Sequence, residues 1–239
     1  MKICPACSAI LISVVAAVTL AADFTLGSFS SFDLSGWQDE TFRGKMKTSY
    51  HLVTENGKTS LKAHSSGAAS GLVKKVDLDP KKYPLIRWSW KVEHTVKKED
   101  VTKKSGDDFA ARVYVVFPSS LFWGTKAINY VWASRLPKNS AVPSPYTGNA
   151  FILAVESGEE RAGTWISEER NIYEDYKRLF GEEPPRIGAV AIMTDTDDTK
   201  DEITAWYGDL SLADRQKDVP PALDGAGGYL WFNRPSLPV

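Results

Sequence analysis

Gly106-Asp-Asp-Phe-Ala-Ala-Arg-Val-Tyr-Val-Val-Phe117 alternates apolar and polar side chains along most of its length. Successive side chains of an extended chain point to opposite faces, so this period of two predicts a β-strand. Phe109, Ala111, Val113, Val115 and Phe117 would share the core face. Asp108, Ala110, Arg112, Tyr114 and Val116 would share the other, placing an acid, a base and a phenol on one stripe. Such a stripe is ordinarily a solvated sheet face with cross-strand ion pairs. Together the residues point to a polar binding face more strongly than any one of them does.

The same alternation recurs along the chain. In 85–92, Ile86, Trp88, Trp90 and Val92 oppose Arg87, Ser89 and Lys91, which gives a second, cationic face. Further strands are expected at 48–54, 60–63, 70–76, 128–133, 150–155, 188–194 and 203–212, with turns at Glu55-Asn56-Gly57, Asp79-Pro80, Ser105-Gly106 and Pro143-Ser144-Pro145. Tyr130 and Trp132 share a strand face and are either core or a stacking platform for a ligand. One amphipathic helix is expected at 168–180, with Ser167 as cap, Glu168 and Glu169 at its positive end, and Gly181 ending it. Many short strands and a single helix predict a mainly β protein, a two-sheet β-sandwich of the jelly-roll kind.

Residues 1–22 read as a secretory signal: Lys2, an apolar run from Ile10 to Leu20, then Ala21 and Ala22. Cleavage there removes one positive charge from a chain of formal charge −1 and discards both cysteines, Cys4 and Cys7. No cysteine follows the apolar run to carry a lipid, so a periplasmic or secreted protein with no membrane span is expected. Near-neutral charge argues against nucleic acid as partner. One domain at 23–212 is expected. Residues 213–239 turn to Pro, Gly and Asp and read as a tail, whose Tyr229-Leu-Trp-Phe232 cluster is a docking anchor at best.

Met193-Thr-Asp-Thr-Asp-Asp-Thr199 crowds Asp195, Asp197 and Asp198 into one segment. Close carboxylates repel unless a cation or a base offsets them, and Ca2+ accepts several oxygens from one loop. Asx-turns in a hairpin explain the same residues. Asp209 is placed either in this acidic site or facing water. Glu169, Arg170, Asn171 and Asp175 form another polar group, with Arg170 a candidate partner for Asp107 or Asp108. His51, His64 and His94 sit in no hydrolase motif, and no phosphate loop or helical zinc motif occurs.

Gly106–Phe117, Asn129-Tyr-Val-Trp132, Glu169-Arg-Asn171 and the acidic segment, with Ala68-Ala-Ser-Gly-Leu72 and Ile86-Arg-Trp-Ser-Trp-Lys91, together resemble the DUF3047 family over about 24–212. The resemblance implies an exported protein whose strand layout is similar to galactose-binding-like jelly rolls of carbohydrate-binding modules. It supplies no catalytic residue. Where that family pattern has Asp-Asn-Thr-Gly, this chain has Asp197-Asp198-Thr199-Lys200.

Three functions remain open. A non-catalytic protein would bind a glycan or other polar small ligand through Arg87, Lys91, Asp107, Asp108, Arg112, Tyr114, Trp132, Glu169, Arg170 and Asn171. An envelope glycan hydrolase would pair Asp107 or Asp108 with Glu169 or Asp195. A structural or interaction protein would hold Ca2+ on Asp195, Asp197 and Asp198.

Overall fold

The computed structural model describes residues 23–119 and 124–214. The expected signal segment, the two cysteines and the Tyr229–Phe232 cluster lie outside the described residues. In chain order the strands are β1 (Phe24–Gly27), β2 (Trp37–Thr41), β3 (Ser49–Glu55), β4 (Lys58–Ser66), β5 (Ala69–Leu78), β6 (Leu85–Val92) and β7 (Ala111–Phe117). They continue as β8 (Lys126–Ala133), β9 (Ala141–Ser144), β10 (Thr147–Ser157), β11 (Ile166–Asn171), β12 (Ile187–Asp195), β13 (Glu202–Tyr207) and β14 (Leu210–Ala213). One α-helix, α1 (Ile172–Phe180), follows β11.

Two sheets form. The first runs β1-β14-β6-β13-β4-β3, with β11 on the other side of β6, and the second runs β2-β5-β12-β7-β8-β10-β9. Only β8 and β10 pair in parallel among the described strands. This is the expected mainly β sandwich. Its core is the inner face of each sheet: Ile86, Trp88, Trp90 and Val92 from β6 meet Val113 and Val115 from β7, with Val190 and Ile192 from β12. Aromatic pairs span the gap, Trp88 to Tyr130 at 5.6 Å and Trp90 to Trp132 at 6.0 Å between ring centroids. Such pairs add about 0.5–1.5 kcal/mol each beyond burial. Tyr130 and Trp132 are therefore core, and the stacking-platform reading of Trp132 is withdrawn: both are 0% exposed, and the Trp132 indole donates to Gly158 O.

The helix begins later than its sequence suggests. Residues 166–171 pair in continuous register with β6, from Ile166 opposite Trp90 to Asn171 opposite Leu85, and this ladder holds Glu168–Asn171 extended. Asn171, not Ser167, caps the helix, its Oδ1 accepting from Glu174 N at 3.0 Å. Gly181 at φ 71° ends it as expected. Ile172 and Tyr176 are buried and Leu179 and Phe180 pack against them, so the expected apolar face stands.

Two other boundaries move. The expected strand at 203–212 breaks at Gly208-Asp209, and the Pro143 turn shifts to Pro145-Tyr146 because 141–144 pairs with β10. The alternation of the 106–117 stretch also slips by one at a bend at Ala110. Ala110 and Ala111 both reach the main core, while Phe109 packs on the opposite side with Val131, Ala133 and Ile152. Among the described residues no helix is long and apolar enough to cross a membrane.

Candidate functional site

The stripe that the sequence read as polar is mostly buried, and its centre is Arg112. β7 and β12 run antiparallel with Arg112 opposite Met193, two residues short of Asp195. Arg112 is 2% exposed. Its Nε donates to Asp195 Oδ1 at 2.7 Å and its Nη2 to Asp195 Oδ2 at 2.5 Å, a bidentate pair. Nη1 donates to Asp107 Oδ1 at 3.3 Å and to the Tyr114 hydroxyl at 3.2 Å, and Nη2 also donates to Asp107 O. A guanidinium has five N–H donors, and here all five are used. The ring of Phe109 lies 4.4 Å from Cζ, and its backbone N–H adds a third donor to Asp195 at 3.2 Å. The slip at Ala110 thus brings an aromatic face to the cation.

Asp108, 0% exposed, ties this centre to the acidic loop. It accepts from Asp198 N at 3.1 Å and Thr199 N at 2.6 Å. The loop closes as a turn with Lys200 N donating to Thr196 O at 2.9 Å, and Lys200 takes the left-handed φ of 60°. A glycine adopts that conformation more cheaply than a lysine. Lys45 pairs with Asp197 and stands 3.7 Å from Asp198. The Tyr146 hydroxyl donates to Asp198 Oδ2 at 3.0 Å. Gly106 is needed beside Asp107: a Cβ there would lie 2.7 Å from Asp100 N.

Asp107, Arg112, Tyr114, Asp195, Asp197 and Asp198, with Lys45 and Tyr146, line a cavity of about 340 Å³ on the outer face of the second sheet, with Met193 on its wall, while Asp108 supports it from behind. Phe42 and Tyr146 stand at it with 42% and 54% of their surface exposed. Burial pushes the Asp195 carboxyl up to about 8, against the pull of Arg112, and moves Asp107 and Asp108 upward as well. Burial also opposes the charge on Arg112, yet Asp195, Tyr114 and Asp107 outweigh it and raise its pKa. The two shifts pull one proton in opposite directions. With both Asp195 oxygens and all five arginine donors engaged, the geometry favours the ion pair. Lys45 is raised, chiefly by its bond to Asp197.

Asp108, Asp195 and Asp197 are buried and each offers an oxygen within 4.8 Å of the others, a group with the geometry to hold a metal ion. Each already has a partner within the chain: two backbone N–H groups, Arg112 and Lys45 respectively.

Of the sequence-predicted site residues, the structure brings together Asp107, Asp108, Arg112, Tyr114, Asp195, Asp197 and Asp198. It separates the rest from them. Arg87 and Lys91 project from the outer face of the first sheet, and Glu169 pairs with Arg87 there at 2.5 Å. Arg170 does not answer Asp107 or Asp108: it holds Asp175 at 2.6 Å, near the capping Asn171. Asp209 does not join the acidic site either, since it accepts from Ser30 N at 2.8 Å and Ser30 Oγ at 2.5 Å. Phe42, Lys45 and Tyr146 were missed, because they come from connecting segments where no period marks a face.

The profile of the family described as "Protein of unknown function (DUF3047)" matches residues 35–211. The chain belongs to that family. No curated protein matches it. Among solved structures it is similar to the glycoside hydrolase domain of Endo-D from Streptococcus pneumoniae R6, at 14% identity and TM-score 0.34, over 75% of this chain and 22% of that one. It is also similar to the CBM22-1–GH10 modules of xylanase 10B from Clostridium thermocellum, at 14% identity and TM-score 0.39, over 84% of this chain and 29% of that one. A third is the cellulose induced protein Cip1, at 13% identity and TM-score 0.38, over 81% and 97%. The chain thus spans less than a third of the first two.

Proposed function

We propose that this is an exported protein that binds a glycan or other polar small ligand in the acidic cavity, without catalysing a reaction on it. One observation carries the reading: carboxylates fixed by internal partners face a cavity with two exposed aromatic rings at its mouth. Carboxylate oxygens accept hydrogen bonds from sugar hydroxyls, and the flat apolar side of a pyranose lies against an aromatic ring. Arg112 and Lys45 hold the acids in place, so little ordering is left for binding to impose. Oligosaccharide binding by titration calorimetry tests this. Tyr146→Ala and Asp107→Asn should each weaken a detected ligand about tenfold, on the order of 1.4 kcal/mol. Unchanged affinity in both variants would overturn the assignment of the cavity.

The hydrolase alternative fits less well. Glu169 stands on the opposite sheet, and Asp195, the most deeply clamped acid, already accepts three donors. A cation reading has one specific observation in its favour, the 4.8 Å grouping of Asp108, Asp195 and Asp197. In it Ca2+ competes with the Lys45 ammonium for Asp197. Melting of the chelator-treated protein with and without added Ca2+ decides it: a rise abolished by Asp197→Ala supports the site, and no rise removes it.

A further inference from the structure

The acidic cavity combines an excess of negative charge with two carboxylate oxygens that lack a donor. Four carboxylates line it, Asp107, Asp195, Asp197 and Asp198, against two cations, Lys45 and Arg112. Each cation is shared by two acids: Arg112 lies between Asp195 and Asp107, and Lys45 between Asp197 and Asp198. One negative charge is therefore left over at each of the two groups. Asp108 behind the wall adds a third, since backbone N–H groups hold it. Two further lysines stand nearby, Lys104 with its ammonium 5.2 Å from the Tyr146 ring centroid and Lys200 donating to Asp197 O. Both are exposed and screened by solvent, and with them counted five carboxylates still face four cations. Burial comes first in raising Asp107, Asp108 and Asp195, and a neighbouring carboxylate adds to the shift in each case, while Arg112 opposes it.

The hydrogen bonds show what kind of group completes the site. Asp107 is 8% exposed and Asp197 7%. Asp107 Oδ1 accepts from Arg112 and Asp197 Oδ2 from Lys45, but among the described residues Asp107 Oδ2 and Asp197 Oδ1 accept no hydrogen bond. Neither oxygen is sealed in the interior, and both residues line the cavity. A largely buried carboxylate oxygen without a donor costs free energy, which a donor on a ligand recovers. A sugar hydroxyl supplies one donor and no charge, whereas an ammonium supplies three donors and the missing positive charge. At the mouth, the exposed rings of Phe42 and Tyr146 offer faces to a sugar ring or to the cation itself. A volume of about 340 Å³ lies at the small end of ligand cavities, which run from about 300 to 1,000 Å³, so the ligand is short.

From this juxtaposition we infer that the ligand of the acidic cavity is a short saccharide bearing a free amino group, held as its ammonium by Asp107 and Asp197. This rests on the reading of the cavity as a glycan site and adds the charge of what fills it.

Titration calorimetry, with chelator present throughout, compares a β-1,4-linked disaccharide of glucosamine with its N,N′-diacetylated form, which keeps the ring skeleton and carries no charge. The amine form should bind at least tenfold more tightly, with an advantage that shrinks as salt rises. Asp107→Asn keeps the shape and removes one charge, and should abolish most of that advantage, with melting curves to check that the variant is folded. Equal or weaker binding of the amine form to the unaltered protein overturns the inference whether or not the variant folds, and so does an advantage unchanged in folded Asp107→Asn. If both forms bind equally and Tyr146→Ala weakens both, the cavity stands as a glycan site and the amine alone falls. If neither saccharide binds, the reading of the cavity falls with it. Ethylammonium binding as tightly as the amine disaccharide would leave a bare cation site with no part for the sugar, and would also overturn the inference.

Discussion

Arg112 and Glu168 are both ionisable groups drawn into the interior, and their surroundings differ in kind. Around Arg112 every donor has an acceptor: two carboxylates, a carbonyl and a phenol. Around Glu168 the accounting fails. Its Oε1 is buried without a hydrogen bond, as are the indole nitrogens of Trp88 and Trp90, one opposite Glu168 in the ladder and the other close by. Burial pushes the Glu168 carboxyl up to about 7, with Lys138 opposing and Glu156 reinforcing the shift. Buried charge that shapes a cavity is supported on all sides, whereas buried charge at the sheet edge near β11 sits close to its neutral form.

The largest effect should come from breaking the supported centre. Arg112→Met leaves Asp195 and Asp107 buried without their cation, which should cost about 3–5 kcal/mol in denaturant unfolding. Arg112→Lys should recover little of it, since an ammonium cannot form the bidentate pair or fill five directions. Loss of less than about 1 kcal/mol in both would mean that the carboxylates simply protonate, and that the centre is less ionic than its geometry implies.

Glu168 should behave in the opposite sense. Its folded pKa of about 7 lies above the ordinary 4.5, so the folded state holds the proton more tightly than the unfolded state does. Its contribution is therefore most favourable below pH 4.5 and is lost as pH rises towards 7. Glu168→Gln should leave stability nearly unchanged at pH 4.5 and raise it by about 1–3 kcal/mol at pH 8, allowing for partial solvent screening. Parallel stability curves for the two proteins across that range would show that Glu168 is ionised and solvated in the folded state.

How much of this was legible follows from what each reading required. Period two along β6, β7 and β12 fixes strands and inner faces, so the sandwich and its core were readable from residues such as Trp88, Val113 and Ile192. Sheet membership is not a local property. Arg87 and Arg112 look alike as polar residues on alternating strands, yet one faces solvent on the first sheet and the other is buried in the second. The helix start failed for a related reason: Ser167-Glu168-Glu169 suits a cap, and only pairing with β6 makes it a strand. Lys45 and Tyr146 lie in connecting segments, where no pattern announces a distant carboxylate.

The acidic loop permits a finer test of the supported centre. Lys200 sits at φ 60°, a conformation that costs an L-residue roughly 1 kcal/mol, and its Nζ recovers part of that by donating to Asp197 O. Lys200→Gly should therefore stabilise the protein by up to about 1 kcal/mol in thermal melting, without altering ligand affinity in the cavity. A loss of stability would show that the ammonium is needed to hold the loop against Asp108.

The smallest effect is expected on the opposite sheet. Lys91 contacts two indoles and, among the described residues, forms no salt bridge, and an exposed cation–π contact contributes about 0.5–1 kcal/mol. Lys91→Ala should cost no more than that, and relief of its repulsion with Lys58 offsets part of the cost. The pair of substitutions, Arg112→Met and Lys91→Ala, thus measures the difference between a charge built into the fold and one held at its surface. A loss of about 2 kcal/mol or more on removing Lys91 would make the indole face structural. The lysines would then serve to seal Trp165 and Trp206 against solvent.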